Sequence, residues 1–404
     1  MVKITRMPAF CRGAAVRLTQ GILLALTVSS LSLHAQDQPG TLAVLDQPLS
    51  SPQPAPELGA YLNWLQLEFE QNTLPGAAVA IVSREGVLEL RTWGVLSNDD
   101  PRPVDSSSLF RIASVSKTFA GTVATLLVDQ GLQSWDTPLV EMFPQIQIGT
   151  GPSSNTITLR NIATHTTGLM PHAFSNMLDD GVMYEKIQEK FNEIPTVCAP
   201  GSCYGYQNVV FSLISDVVQL STHKSYEEYL TEQLFIPLGM PTASTGLEAY
   251  EASANATDPH RLVRGNWLTT TTNPAYYTVG PASGINASVI DMSIWARANL
   301  GAFPEVLPET FLQQQQEPVV STPRGNYFNR WQGLEQAWYA TGWRVFNYRG
   351  ARVVHHGGGV RGFRTEVALV PEKNLGLIVL FNAETRFAND VVPSFLDAII
   401  TGSL

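Results

Sequence analysis

A serine hydroxyl becomes a useful nucleophile only when a neighbouring base takes its proton. Ser114 has a candidate base three residues on, at Lys117, just before a run from Ala120 to Val128 that is almost wholly apolar or small. That run reads as a buried helix closing near Gly131, a residue suited to the position after a helix end. Residues i and i+3 share a helix face, so the lysine can reach the hydroxyl. Burial lowers a lysine's pKa and lets it act as a neutral base. The spacing alone is weak, since Ser-x-x-Lys is expected by chance about once in a chain of this length. A second copy, Ser221 to Lys224, precedes a capping box at Ser225 to Glu228, and Ser221 reads as a loop residue.

Two further patterns follow in order. Tyr204-Gly205-Tyr206-Gln207-Asn208 stands directly behind a short cysteine loop, and His355-His356-Gly357-Gly358-Gly359-Val360-Arg361-Gly362-Phe363 stands between two predicted strands. Tyr-x-Asn is common, and Tyr61 to Asn63 and Tyr327 to Asn329 are copies without a supporting context. The triple glycine is not a phosphate loop, because no Lys-Ser/Thr follows and it leads from strand to strand. His355 alternates to the opposite strand face from His356 and reads as structural or exposed. His165, His172, His223 and His260 lack metal-ligand spacing, His165 reading as a turn residue. No cofactor is implied, and a metal-dependent hydrolase would need clusters of His, Asp and Glu that the sequence does not offer.

The elements that must position these residues lie at both ends of the chain. Leu58 to Gln71 repeats apolar residues at helical spacing, and Ala77 to Ser83 with Val87 to Val95 reads as a hairpin. Near the C-terminus, Trp343 to Tyr348, Ala351 to His355, Phe363 to Val370 and Leu375 to Asn382 read as an antiparallel meander closed by a helix at Val391 to Ile400. Between them, Ile157 to Leu169 reads as a capped helix ending in a turn, Asn255 to Gly280 as polar and irregular, and Ser288 to Leu300 as a helix. The expected fold is α+β: one antiparallel sheet built from both chain ends and flanked by helices (about 57–130 and 288–404), with a helical insert at about 131–287.

In order and in context, the three patterns resemble the serine β-lactamase and penicillin-binding-protein superfamily, most of all its class C β-lactamase-like branch. That branch includes D-alanyl-D-alanine carboxypeptidases and family VIII carboxylesterases. Leu74 to Ala80, Ile157 to Leu169, Gly280 to Ala296 and Gly342-Trp343 also look like that family's framework, so the resemblance covers about 56–404. It implies a β-lactamase/transpeptidase-like fold with Ser114 as nucleophile, Lys117 as general base and Tyr206 passing a proton to the leaving group. It places Asn208 on the substrate amide, makes the N–H of Gly359 the second oxyanion donor beside that of Ser114, and puts His356 and Gly358 at the substrate-binding strand. Dedicated class C enzymes carry Lys-Thr-Gly where this chain has His-Gly-Gly, and a histidine of ordinary pKa is mostly neutral near pH 7. The implied activity is acyl transfer from a β-lactam or D-amino-acid amide. The alternatives are a short-chain carboxylesterase and a non-catalytic peptidoglycan-binding relative.

The first 35 residues join Lys3, Arg6, Arg12 and Arg17 to an apolar run, Ile22 to Leu33, and read as a secretory signal peptide. They predict export, to the periplasm, without a stable membrane anchor; residues 36–56 read as a Pro/Ser-rich linker. Losing those four basic residues takes the formal charge from −10 to −14, which argues against nucleic acid and anionic membrane as partners and leaves a small-molecule substrate. The sequence does not set the oligomeric state. Cys11 leaves with the signal, and Cys198 and Cys203 are expected to pair across a tight loop in an oxidising compartment.

Overall fold

Two apolar segments from opposite ends of the chain are hydrogen-bonded neighbours at the centre of the molecule. The computed structural model describes residues 56–323 and 325–403. The expected signal peptide and all of the linker but Pro56 lie outside the described residues. Strands β1 (Gly76–Val82) and β2 (Val87–Gly94) form the expected hairpin. Strand β3 (Phe110–Arg111) leads into the Ser114 turn and helix α2 (Ser116–Asp129), after helix α1 (Pro56–Gln71). From the other end come β9 (Leu334–Tyr339), β10 (Arg344–Tyr348), β11 (Ala351–Val360), β12 (Phe363–Val370) and β13 (Leu375–Phe381). With the short β8 (Val320–Ser321) they complete an eight-stranded sheet of order β2-β1-β13-β12-β11-β10-β9-β8, in which β1 pairs antiparallel with β13 from Ala77↔Phe381 to Val82↔Gly376.

Burial explains why β1 is apolar at every position. Strand alternation sends Ala78, Ala80 and Val82 to one core and Ala77, Val79 and Ile81 to the other, so neither face meets water. The second face is covered by α1 and the closing helix Ala388–Thr401, locked where the Tyr61 hydroxyl donates to the Val391 carbonyl (3.0 Å) and its ring meets Phe395.

Helix α2 runs through the first core. Phe119 stacks on Trp295 at 3.8 Å. The buried hydroxyls of Thr118, Thr122 and Thr125 donate to carbonyls three or four residues back, so they cost little. The turn before β10 presses directly on α2: Gly342 has φ +75°, and a Cβ there would lie 2.3 Å from the Lys117 carbonyl oxygen. Only glycine satisfies both constraints.

The departures from expectation fall where elements are short or polar. Strands β8 and β9 were not foreseen. The stretch read as irregular holds a hairpin, β5 (His260–Val263) with β6 (Asn266–Thr269), whose side chains are largely exposed and give no apolar run to detect. A three-stranded sheet joins β3, β7 (Ile285–Ala287) and β4 (Ser244–Thr245). Ser221 is the ninth residue of the helix Leu213–Thr222 rather than a loop residue, its hydroxyl donating to the Val217 carbonyl; the Ser225–Glu228 capping box is present.

Candidate active site

Ser114 sits in a single 3₁₀ turn, Ala113–Val115, between β3 and α2. Ala113 before it takes φ +50°, an uncommon value for a residue with a Cβ. The turn is held from the far strand: a Cβ on Gly358 would come within 2.4 Å of the Ile112 carbonyl oxygen, so β11 approaches the serine turn as closely as backbone allows. Ser114 keeps partial exposure while its neighbours are buried.

Lys117, in the first turn of α2, is fully buried. Its Nζ donates to Asn208 Oδ1 (2.8 Å) and to the Ala282 carbonyl (3.0 Å), with Ser114 Oγ at 3.4 Å as the third neighbour. An ammonium has three protons; after losing one, the amine keeps two donors for two carbonyl oxygens and turns its lone pair to the serine. Burial, reinforced by the charge of Arg344, holds the Lys117 pKa well below the usual lysine range. The same ammonium lies 4.7 Å from the centroid of the Tyr206 ring.

Tyr206 hydrogen-bonds Ser114, and burial pushes its phenol upward despite that bond and the charge of Arg344, so the hydroxyl rests protonated. Its segment is laid against the end of helix α3 (Leu159–Ala163), whose Thr158/Asn161 capping box matches the expected capped helix. Val197 and Cys198 donate to the Gly168 carbonyl, Gly201 to Thr166 and Gly205 to His165. Cys198 and Cys203 form a disulfide that closes this loop just before Tyr204. Ser114 and Lys117 therefore converge with Tyr206 and Asn208 from two separate segments.

The opposite wall differs from expectation at His356. The ring is 1% exposed and both nitrogens are engaged: Nδ1–H donates to the Gly357 carbonyl (2.9 Å), and Nε2 accepts from the Tyr339 hydroxyl (3.2 Å). Burial, then the positive charges of Arg344 and Lys117, holds its pKa well below the ordinary histidine value. His356 thus braces β11 as a neutral group with no free ring nitrogen for a substrate. Expected among the substrate contacts, its ring is engaged within the fold by Tyr339 and Gly357. Gly358 packs inward on the serine turn, and Gly359 is exposed opposite Arg364 on β12. His355, on the other strand face, is buried against Glu366 (2.8 Å).

The cation on this wall is Arg344, at the start of β10. Partly exposed, it lies 5.3–6.0 Å from the centroids of four rings: Tyr204, Tyr206, Phe328 and Tyr339. Sequence reasoning passed over it, although it is the lone charge in the strand predicted at Trp343 to Tyr348. His165, read only as a turn residue, is a second omission: its ring lies 4.4 Å from that of Tyr206. Among the described residues no group of three His, Cys, Asp or Glu side chains is arranged to hold a metal ion, and no helix is long and apolar enough to cross a membrane.

The Beta-lactamase family profile matches residues 63–399, and the chain belongs to that family; with this fold it is a serine hydrolase. Among similar proteins, an unguisins hydrolase of Aspergillus campestris is 28% identical across 78% of this chain and 60% of its own length. A β-lactamase of Yersinia enterocolitica is 24% identical across 79% of this chain and 85% of its own. The chain thus spans only about three-fifths of the fungal relative. A penicillin-binding protein homologue from Pyrococcus abyssi, solved as an octamer, superposes with a TM-score of 0.75 at 20% identity, over 86% of this chain and 78% of that one.

Proposed function

We propose that this is an exported hydrolase of the class C β-lactamase-like branch, acting through an acyl-enzyme on Ser114, with a β-lactam or D-amino-acid amide as acyl donor. The observation that carries the reading is the surroundings of Lys117: a buried amine with two carbonyl acceptors and a serine hydroxyl as its third neighbour. The Ser114 Oγ–carbonyl bond forms as the serine proton passes to the Lys117 amine. The scissile C–N bond then breaks as the Tyr206 hydroxyl protonates the leaving nitrogen, and Tyr206 recovers its proton from the lysine. Water releases the acyl group by the same route in reverse. Asn208 Oδ1 holds the lysine, which leaves its amide N–H₂ for the substrate. Backbone N–H groups of Ser114 and Gly359 would face the oxyanion. Arg344, not His356, supplies the positive charge for a substrate carboxylate, and the aromatic rings around it suit an apolar acyl part.

In this reading residues 1–35 direct export to the periplasm and 36–56 are a linker. The helical insert (about 131–287) supplies Tyr206 and Asn208, while the α/β part (about 57–130 and 288–404) supplies Ser114, Lys117 and the glycine strand. The neutral His356 and the aromatic wall also favour a second reading, a carboxylesterase that takes uncharged esters. Intact-mass spectrometry during incubation with penicillin G or p-nitrophenyl acetate, beside Ser114→Ala and with hydrolysed product quantified, separates the two. A penicilloyl adduct or accumulating penicilloate, lost in Ser114→Ala, supports the amide reading; an acetyl adduct alone supports the esterase. No adduct and no product with either probe contradicts both.

A further inference from the structure

His165 grips the residues on both sides of Tyr206. It follows helix α3 with φ +55°, in the left-handed region that imidazole side chains visit only occasionally. That conformation turns its carbonyl to the Gly205 N–H (2.8 Å) while its Nδ1 accepts from the Gln207 N–H (3.3 Å). The ring packs between two phenols, 4.4 Å from Tyr206 and 4.7 Å from Tyr339. Tyr339 in turn donates to His356. His165 thus touches both the proton-carrying tyrosine and the strut behind the glycine strand.

The ring is 1% exposed. With Nδ1 occupied as an acceptor, a proton there would face the Gln207 N–H head-on. Burial and the neighbouring charges of Lys117 and Arg344 oppose that proton as well. The imidazole thus accepts at Nδ1 and packs by its aromatic face, and burial favours its neutral form.

We infer that His165 is a positioning residue for Tyr206, fixing the backbone on either side of the phenol and its ring plane so that the hydroxyl meets the leaving group. The inference rests on the acyl-enzyme reading above and deepens it. It makes a kinetic prediction that a general packing role does not. A leaving group that departs without help, such as p-nitrophenolate, has little need of Tyr206; an alkoxide such as benzyl alcoholate needs its proton.

The test measures kcat and KM of the full chain on p-nitrophenyl acetate and benzyl acetate for wild type, His165→Leu, His165→Asn, Tyr206→Phe, Ser114→Ala and the His165→Leu/Tyr206→Phe double variant. Melting curves confirm folding. Asn tolerates the left-handed backbone and keeps an acceptor, so it guards against a leucine variant that fails to fold. The expected result is a kcat loss of about 10²-fold on benzyl acetate for His165→Leu, several-fold at most on p-nitrophenyl acetate, and a smaller loss for Asn. Beside Tyr206→Phe, the double variant should lose nothing further. Equal losses on both esters, or a full-size effect of His165→Leu in the Tyr206→Phe background, would overturn the inference. Turnover surviving in Ser114→Ala would instead remove the acyl-enzyme reading, and the inference with it.

Discussion

The two walls of the site are built on different physical terms. On the serine side, the buried Lys117 and Asn208 hold each other at 2.8 Å, and every donor of the lysine has an acceptor. That wall is polar, buried and pre-set for proton transfer. On the glycine-strand side, a histidine held neutral by burial is locked between a tyrosine and its own strand, and Arg344 on the next strand stands among four aromatic rings. Chemistry is tightly specified on one wall; on the other, the charge proposed for recognition stands on a different strand. An enzyme can keep its reaction class while its acyl donor changes, because the groups that move protons and those that grip the substrate are separate parts.

The largest effect expected from breaking the first wall is at Lys117. Lys117→Met should lower kcat/KM by about 10³-fold or more while raising the melting temperature. The sign follows from linkage: the native pKa lies below the unfolded value, so between the two the unfolded chain binds more protons, and stability rises with pH in that window. Methionine removes that dependence, and calorimetry across pH 7 to 10 checks it. A Lys117→Met protein less stable than wild type would show that the buried amine is compensated more fully than its three contacts indicate.

The second wall gives the next effect. Arg344→Ala should raise KM for penicillin G by about 10–10²-fold, the scale of one charge-assisted contact, and leave p-nitrophenyl acetate nearly unchanged. Equal losses on both would mean that Arg344 serves only to pack the tyrosines. The joint between the walls comes third. Gly358→Ala forces a Cβ towards the Ile112 carbonyl and should cost about 1–3 kcal/mol in chemical denaturation, with lost acylation as the serine turn shifts. Least is expected of the disulfide. Cys198→Ser/Cys203→Ser opens only a six-residue loop, worth about 2 kcal/mol, and the four backbone bonds from residues 197, 198, 201 and 205 remain to hold the Tyr206 segment.

This asymmetry also decides what could be read from sequence. The meeting of Ser114, Lys117, Tyr206 and Asn208 was legible from the order and context of three short patterns, each of them common when taken alone. The strands of the main sheet were legible because both cores bury them, which leaves continuous apolar runs such as Gly76–Val82. The partners of His356 could not be read, because Tyr339 lies 17 residues away and meets the ring only after folding. Arg344 and His165 were missed for the same reason: neither stands in a short motif, and each acquires its neighbours from other segments. The β5–β6 hairpin left no trace because its side chains point largely to solvent and have no apolar alternation to keep.

The central claim is that the buried Lys117 amine takes the proton of Ser114. Its most direct test is the pH dependence of the acylation rate, followed as adduct mass on Ser114 after rapid quenching between pH 5 and 10. The account predicts a rate that rises with pH to a plateau, with a single midpoint well below the ordinary lysine value of about 10.4, and no such limb in Lys117→Met. A midpoint in the ordinary lysine range, or a limb that survives Lys117→Met, would contradict it.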